Sequence, residues 1–310
     1  MLTDDITLSF SSEQYANTLG NLKKLKVLYL QNNSGYSTGP AGLAKLVADP
    51  AAIEELGGVM LYDADDVDIL VKRFPALKTL YVGYRGEKVS LSGLKALGQL
   101  ETLGTELSAD GNEDLLELSG VKKMELGASA QGDGIKDFRF LSSLTQLESL
   151  TLENAYEMKS LNVLEPLGNL QELRISNGRE LRSLEPLRAL TGLRSLDTDL
   201  NALSALTGLR KLRVANADWS LKGTLPDLSG LTALEELEAD EEDFAQFAAC
   251  KSLKKLTLFM NRFGDSADFT ALAGLDQLEE LYLNFDRVDE KPVHIESLSA
   301  LPALRKLTIV

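Results

Sequence analysis

The chain has 310 residues, 44% of them apolar and 25% charged, a balance that supports a packed core and excludes a disordered chain. Its 32 Lys and Arg stand against 47 Asp and Glu, a formal charge of −15 that repels phosphate backbones and anionic lipid headgroups, so neither nucleic acid nor membrane is an expected partner. One cysteine, Cys250, and one histidine, His294, exclude an intrachain disulfide, a zinc site of Cys and His, and a Cys/His nucleophilic dyad.

In chain order, the amino terminus MLTDDITLSF places two acids where an export signal needs basic residues, and it has no apolar run of signal length. A chain kept in the cytoplasm is the expectation. Apolar alternation begins around Ile6, and segment 22–30, LKKLKVLYL, is the first full copy of the spacing L-x-x-L-x-x-L-x-L. The spacing returns as LTQLESLTL at 144–152, LGNLQELRI at 167–175, LTGLRKLRV at 206–214, LDQLEELYL at 275–283 and LPALRKLTI at 301–309. With the third apolar position as marker, fourteen units follow, at Ile6, Leu28, Val59, Leu80, Leu103, Met124, Leu150, Leu173, Leu196, Leu212, Leu237, Leu256, Leu281 and Leu307. The mean step is about 23 residues, a period of stacked repeats.

L-x-L predicts a short strand whose two apolar side chains point inward and whose middle residue points outward. The preceding steps of three suit 3₁₀ or irregular turns better than an α-helix. No unit can bury its leucines alone, so the units stack into one core with a parallel sheet along one side. Two steps depart from the period. Between Leu28 and Val59 lies GYSTGPAGLAKLVADP, where Leu43, Leu46 and Val47 after Gly-Pro predict a short helix on the outer face. The step from Leu196 to Leu212 is short, and nothing in the sequence explains it.

Over nearly its whole length the chain resembles the leucine-rich repeat family, and paired steps such as SLNVLEPLGNL and SLEPLRALTGL look most like the bacterial internalin-like subclass. The resemblance implies a loosely α/β fold: a curved solenoid with a parallel sheet on the concave face and short 3₁₀ or irregular segments on the convex face. The continuous stacking of units predicts one elongated domain over residues 1–310. The family's turn asparagine is matched in offset by Asn33, Asn201 and Asn261, while Asn32, Asn154, Asn177 and Asn216 sit one place early.

Candidate chemistry is sparse. Gly35, Gly39 and Gly42 lack the Lys-Ser/Thr that a phosphate loop needs. Asp133 and Asp137 in QGDGIKD fall short of a calcium loop's ligand count, so a turn closed by Gly132 and Gly134 is expected. The acidic run Glu238, Asp240, Glu241, Glu242 and Asp243 reads as a solvated turn. The chain is therefore expected not to be an enzyme and to need no metal or cofactor.

Outward positions carry the functional signal. Tyr29, Met60 and Tyr81, joined by Tyr62 and Tyr84 from following positions, predict an aromatic patch in the first third. Charge alternates through Glu125, Arg174, Asp197, Arg213 and Glu238, and Phe259, Tyr282 and Phe285 repeat the aromatic theme. These residues are the expected partner-binding set of a non-catalytic scaffold whose partner is a protein, a basic one given the charge. The alternatives are an adhesion module of internalin style, at a cell surface or directed at a host, and a substrate-holding adaptor for a separate enzyme. Self-association through open repeat ends is also expected, because neither the strand at Ile6 nor the one ending at Val310 has obvious cover.

Overall fold

A computed structural model describes residues 5–9, 19–31, 39–85, 87–108, 111–128, 137–178, 181, 184–198, 208–214, 228, 230–240, 244–259, 269–285 and 295–310. In it the leucines spaced by three do what that period requires. Leu94, Leu97 and Leu100 each donate their N–H to the leucine carbonyl three residues back, at 2.9–3.0 Å. Three residues per turn bring Leu91, Leu94, Leu97 and Leu100 to one side, and none is more than 4% exposed. The same chain of bonds recurs over Leu161–Leu170 and Leu184–Leu193.

The molecule divides into two compact units, Met1–Glu153 and Asn154–Val310. In the first, the described strands are β1 (Asp5–Ser9), β2 (Val27–Gln31), β3 (Glu55–Leu61), β4 (Thr79–Tyr84), β5 (Thr102–Leu107), β6 (Lys123–Ala128) and β7 (Ser149–Glu153), each parallel to the next. In the second they are β8 (Glu172–Ile175), β9 (Ser195–Thr198), β10 (Lys211–Val214), β11 (Glu236–Asp240), β12 (Lys255–Phe259), β13 (Glu280–Asn284) and β14 (Lys306–Ile309), again parallel in chain order. Each unit is a leucine-rich repeat solenoid.

The core is a column of marker residues in register. Leu103 pairs Met124, which pairs Leu150, and in the second unit Leu173 pairs Leu196, which pairs Leu212. All of these are at most 3% exposed, each side chain contributing about 1.5–3 kcal/mol by leaving water. The short step from Leu196 is therefore a true pair of adjacent strands. On β14, Leu307 is 43% and Ile309 47% exposed.

The third marker differs from the sequence reading. Leu28 pairs Leu56, and Leu56 pairs Leu80, so the column runs through Leu56 and not Val59. The register then slips at Gly57–Gly58, where β3 holds one residue more than β4, and Gly58 takes φ +73°. A bulge of this kind needs a residue free to enter the left-handed region. Met60 consequently pairs Gly83 and stands one outward row away from Tyr29 and Tyr81.

Helix α1 (Pro40–Leu46) forms where GPAGLAKL predicts it, starting on Pro40 and burying Leu43. A second helix, α2 (Ala64–Arg73), is capped by the Asp63 carboxylate, which accepts from the Asp65 N–H, and buries Val67 and Leu70. Asn154 and Asn177 both take φ 57°, and the Asn177 amide donates to Asn154 Oδ1 at 3.0 Å, so the turn role holds at these offset positions. Asn32, Asn33, Asn201, Asn216, Asn261, Gly35, Gly132, Asp133, Gly134, Glu241, Glu242, Asp243 and His294 lie outside the described residues.

Candidate partner-binding face

On the outward face of the first unit, large residues and glycines alternate between neighbouring strands. Tyr29 stands beside Gly57, and Tyr81 stands between strands beside Gly104, whose other neighbour is Glu125. One row along, Met60 pairs Gly83, and Gly127 lies between Glu106 and Glu153. The glycines are occupied from above. A Cβ on Gly57 would lie 2.4 Å from the Tyr29 ring, one on Gly104 2.2 Å from the Tyr81 ring, and one on Gly83 2.8 Å from Met60 Sδ. The rings thus lie down across the next strand and cover backbone that glycine leaves bare.

Their hydroxyls are fixed. Tyr29 donates to Glu55 Oε2 at 3.0 Å and Tyr81 to Glu125 Oε1 at 3.1 Å, with the two ring centroids 6.0 Å apart and tilted by 51°. Burial, followed by the Glu125 charge, pushes the Tyr81 phenol above its ordinary ionisation range, so the ring stays neutral. Beside it is a depression of about 280 Å³ lined by Tyr81, Glu106, Glu125, Glu153 and glycines 58, 83, 104 and 127, among others.

Two residues of the expected aromatic patch stand elsewhere. Counted from Leu80 and Val82, Tyr84 falls on the inward alternation; it pairs buried Leu61 and receives a hydrogen bond from the buried Thr105 hydroxyl at 3.0 Å. Burial raises its phenol's pKa. Tyr62 lies past the end of β3, 44% exposed, with its ring against Gly39 at the start of α1 and its N–H donating to Asp66 at 2.8 Å.

In the second unit the alternating charges close into a chain. Arg174 Nε lies 3.3 Å from Asp197, Arg213 Nη1 lies 3.5 Å from the same Asp197 oxygen, and Arg213 Nε lies 2.8 Å from Glu238. Each such exposed pair contributes about 0–1 kcal/mol, so a partner that takes Arg174 or Arg213 displaces only a weak internal contact. Further along, the Phe259 and Tyr282 rings meet at 6.3 Å, tilted by 53°, and line a depression of about 270 Å³ with Lys255, Glu280 and Lys306. Phe285 does not join them: it lies one residue beyond β13 on the alternation of Leu281 and Leu283, and its N–H donates to the Val310 carbonyl at 2.6 Å.

No protein-family model and no curated protein matches the chain. Among solved structures it is similar to an internalin from Listeria monocytogenes, 19% identical, with 77% of each chain covered and a TM-score of 0.48. The stacked register and the buried leucine column define the fold within this chain itself.

A feature with a plain sequence signal escapes the leucine count. Two residues before the markers of β2 to β7 stand Lys26, Glu54, Lys78, Glu101, Lys122 and Glu148, alternating in sign from strand to strand. Glu54 bridges Lys26 and, at 2.6 Å, Lys78; Lys122 bridges Glu148 at 3.0 Å. The lysines' hydrogen bonds and charges hold the Glu54 carboxyl down to about 2. In the second unit Gln171 and the successive Arg194 and Arg210 break the pattern, and it resumes through Glu235, Lys254, Glu279 and Arg305, with Lys254–Glu235 at 3.5 Å and Arg305–Glu279 at 3.7 Å.

Cys250 is 0% exposed and burial pushes its thiol up to about 11, which leaves little thiolate at neutral pH. Among the described residues no group of three or more His, Cys, Asp or Glu side chains is placed to hold a metal ion, and no helix is long and apolar enough to cross a membrane.

Proposed function

We propose that the chain is a non-catalytic protein-binding scaffold that offers a partner the outward faces of its sheets. The observation that carries this reading is the contrast between the two faces of the same strands. Inward marker positions from Leu28 to Leu281 are all buried and, Met124 apart, all leucine, while the outward residues that follow them run through Tyr29, Gly57, Tyr81, Glu125, Arg174, Asp197 and Tyr282. A fixed column with a free outer row is an arrangement for specialising a surface, and aromatic and Arg side chains are the usual anchors of interfaces.

The test is affinity capture from the native cell followed by quantitative binding to single variants. Tyr81→Ala, Arg213→Ala and Tyr282→Ala are expected to weaken the captured partner by about 1–3 kcal/mol at an anchor. Lys95→Ala, on the opposite side in the 3₁₀ turn Ser92–Ala96, is expected to leave binding unchanged. Equal and negligible losses at all four positions would overturn the reading. Given the −15 charge, association with a basic partner should slow as salt rises.

A further inference from the structure

We propose that the depression beside Tyr81 on the first unit's sheet seats a lysine or arginine side chain carried by an extended segment of a protein partner. This rests on the scaffold reading above and adds the place and the chemistry of one contact.

The gap is built by register. Glu106 on β5, Gly127 on β6 and Glu153 on β7 are direct neighbours, so one glycine separates two carboxylate-bearing positions. Strands spaced by about 4.8 Å put those flanking positions roughly 10 Å apart. Gly57, Gly83 and Gly104 have a neighbouring side chain within 3 Å of an added Cβ, whereas at Gly127 a Cβ would meet only Glu153, at ordinary contact distances of 3.9 Å to its Cβ and 4.0 Å to Oε2. Gly127 is thus a half-buried gap between two acids, with Glu125 two residues back on the same strand and Tyr81 beyond it.

Charge complementarity names the occupant. No Lys or Arg lines the depression. Glu54 and Glu148 are bridged by lysines of neighbouring repeats and Glu125 lies 3.0 Å from Lys123, but among the described residues no cation pairs with Glu106 or Glu153. A bare metal ion needs several oxygens within about 2.6 Å, a poor match to carboxylates set on positions two strands apart. A long cationic side chain fits: its apolar stem lies along the glycine floor, its head meets the carboxylates, and the neutral Tyr81 ring offers a face to it.

The probe is a fluorescein-labelled hexa-arginine peptide, read by anisotropy, with the hexa-citrulline peptide as its uncharged counterpart. Gly127→Leu plugs the gap without changing charge, and its Cβ meets Glu153 only at ordinary contact distance. Glu106→Gln/Glu153→Gln removes the flanking charges. Glu157→Gln/Glu165→Gln makes the same charge change at exposed positions in the other unit. Loss of charge-assisted contacts worth about 1.5–3 kcal/mol predicts at least a roughly tenfold weaker Kd for each of the first two variants, and less than about twofold for the third. Hexa-citrulline should not bind. Equal losses in the two double variants, or wild-type affinity in a Gly127→Leu protein whose circular dichroism is unchanged, would overturn the proposal. A natural partner lost on Tyr282→Ala but kept by Glu106→Gln/Glu153→Gln would remove this contact and leave the scaffold reading standing.

Discussion

Among the described glycines, Gly58→Ala is the substitution for which the structure sets the largest cost. The residue sits at φ +73°, where an L side chain costs about 1–2 kcal/mol. An added Cβ would lie 1.9 Å from the Leu30 carbonyl oxygen and 2.9 Å from its carbon, against ordinary contact beginning near 3.4 Å. Both obstructing atoms are backbone, so no rotamer change relieves the clash. β2 and β3 must part locally by about 1.5 Å from a normal spacing of about 4.8 Å, which breaks one or two inter-strand hydrogen bonds at about 1 kcal/mol each. The total is about 2–4 kcal/mol. Urea unfolding followed by circular dichroism measures it, with Gly98→Ala as control because nothing lies within 4 Å of a Cβ there and the change should stay within about 1 kcal/mol. A Gly58→Ala protein within about 1 kcal/mol of the parent would refute the bulge and the register slip built on it.

Acid should weaken the fold through Glu54 and Asp137, whose carboxyls are held down to about 2 by Lys26 and Lys78 and by Arg139, against ordinary values of 4.5 and 3.8. A depressed carboxyl contributes stability above its unfolded value and loses it as pH falls through the folded one; the urea midpoint should be flat above about pH 5 and drop towards pH 2. An acid limb unaltered by Lys78→Met would contradict the Glu54 assignment. Cys250, 0% exposed with its thiol near 11, should resist a disulfide reagent at pH 8 in the native protein and react at once in urea; prompt native labelling would show the thiol is not enclosed. Leu307 and Ile309, 43% and 47% exposed on β14, should promote self-association at micromolar concentration that Leu307→Lys/Ile309→Lys abolishes in sedimentation. A parent chain that stays monomeric would rule this out.

Much of this architecture is legible in the residues. Steps of three and two in the leucines specify 3₁₀ turns and strands because those are the periods at which each element returns a side chain to the same face. Where the reading fails, a local device is responsible. Val59-Met60-Leu61 imitates L-x-L, and only the pairing of Leu56 with Leu28 and Leu80 shows that Gly57–Gly58 has inserted a residue. Tyr84 was within reach of simple alternation, since positions 80, 82 and 84 share a face. Tyr62 was not, because its placement depends on how the chain leaves β3 towards α2. The acidic and basic residues show their signs in sequence but not that Arg213 divides itself between Asp197 and Glu238.

The alternation of Lys26, Glu54, Lys78, Glu101, Lys122 and Glu148 has a consequence for how such a chain can grow or shrink. Removing the repeat of β4 would set Glu54 beside Glu101 and bring Gly57 next to Gly104, leaving two bare glycines side by side without the ring that covers one of them. Removing the repeat of β3 would set Lys26 beside Lys78 and press Tyr29 against Tyr81 with no glycine between. Removing β3 and β4 together restores both patterns, since Lys26 meets Glu101 and Tyr29 meets Gly104. In this stretch the step that keeps both alternations in phase is therefore not the single leucine repeat but an even number of them, a parity rule written by charge along one row and by side-chain size along another.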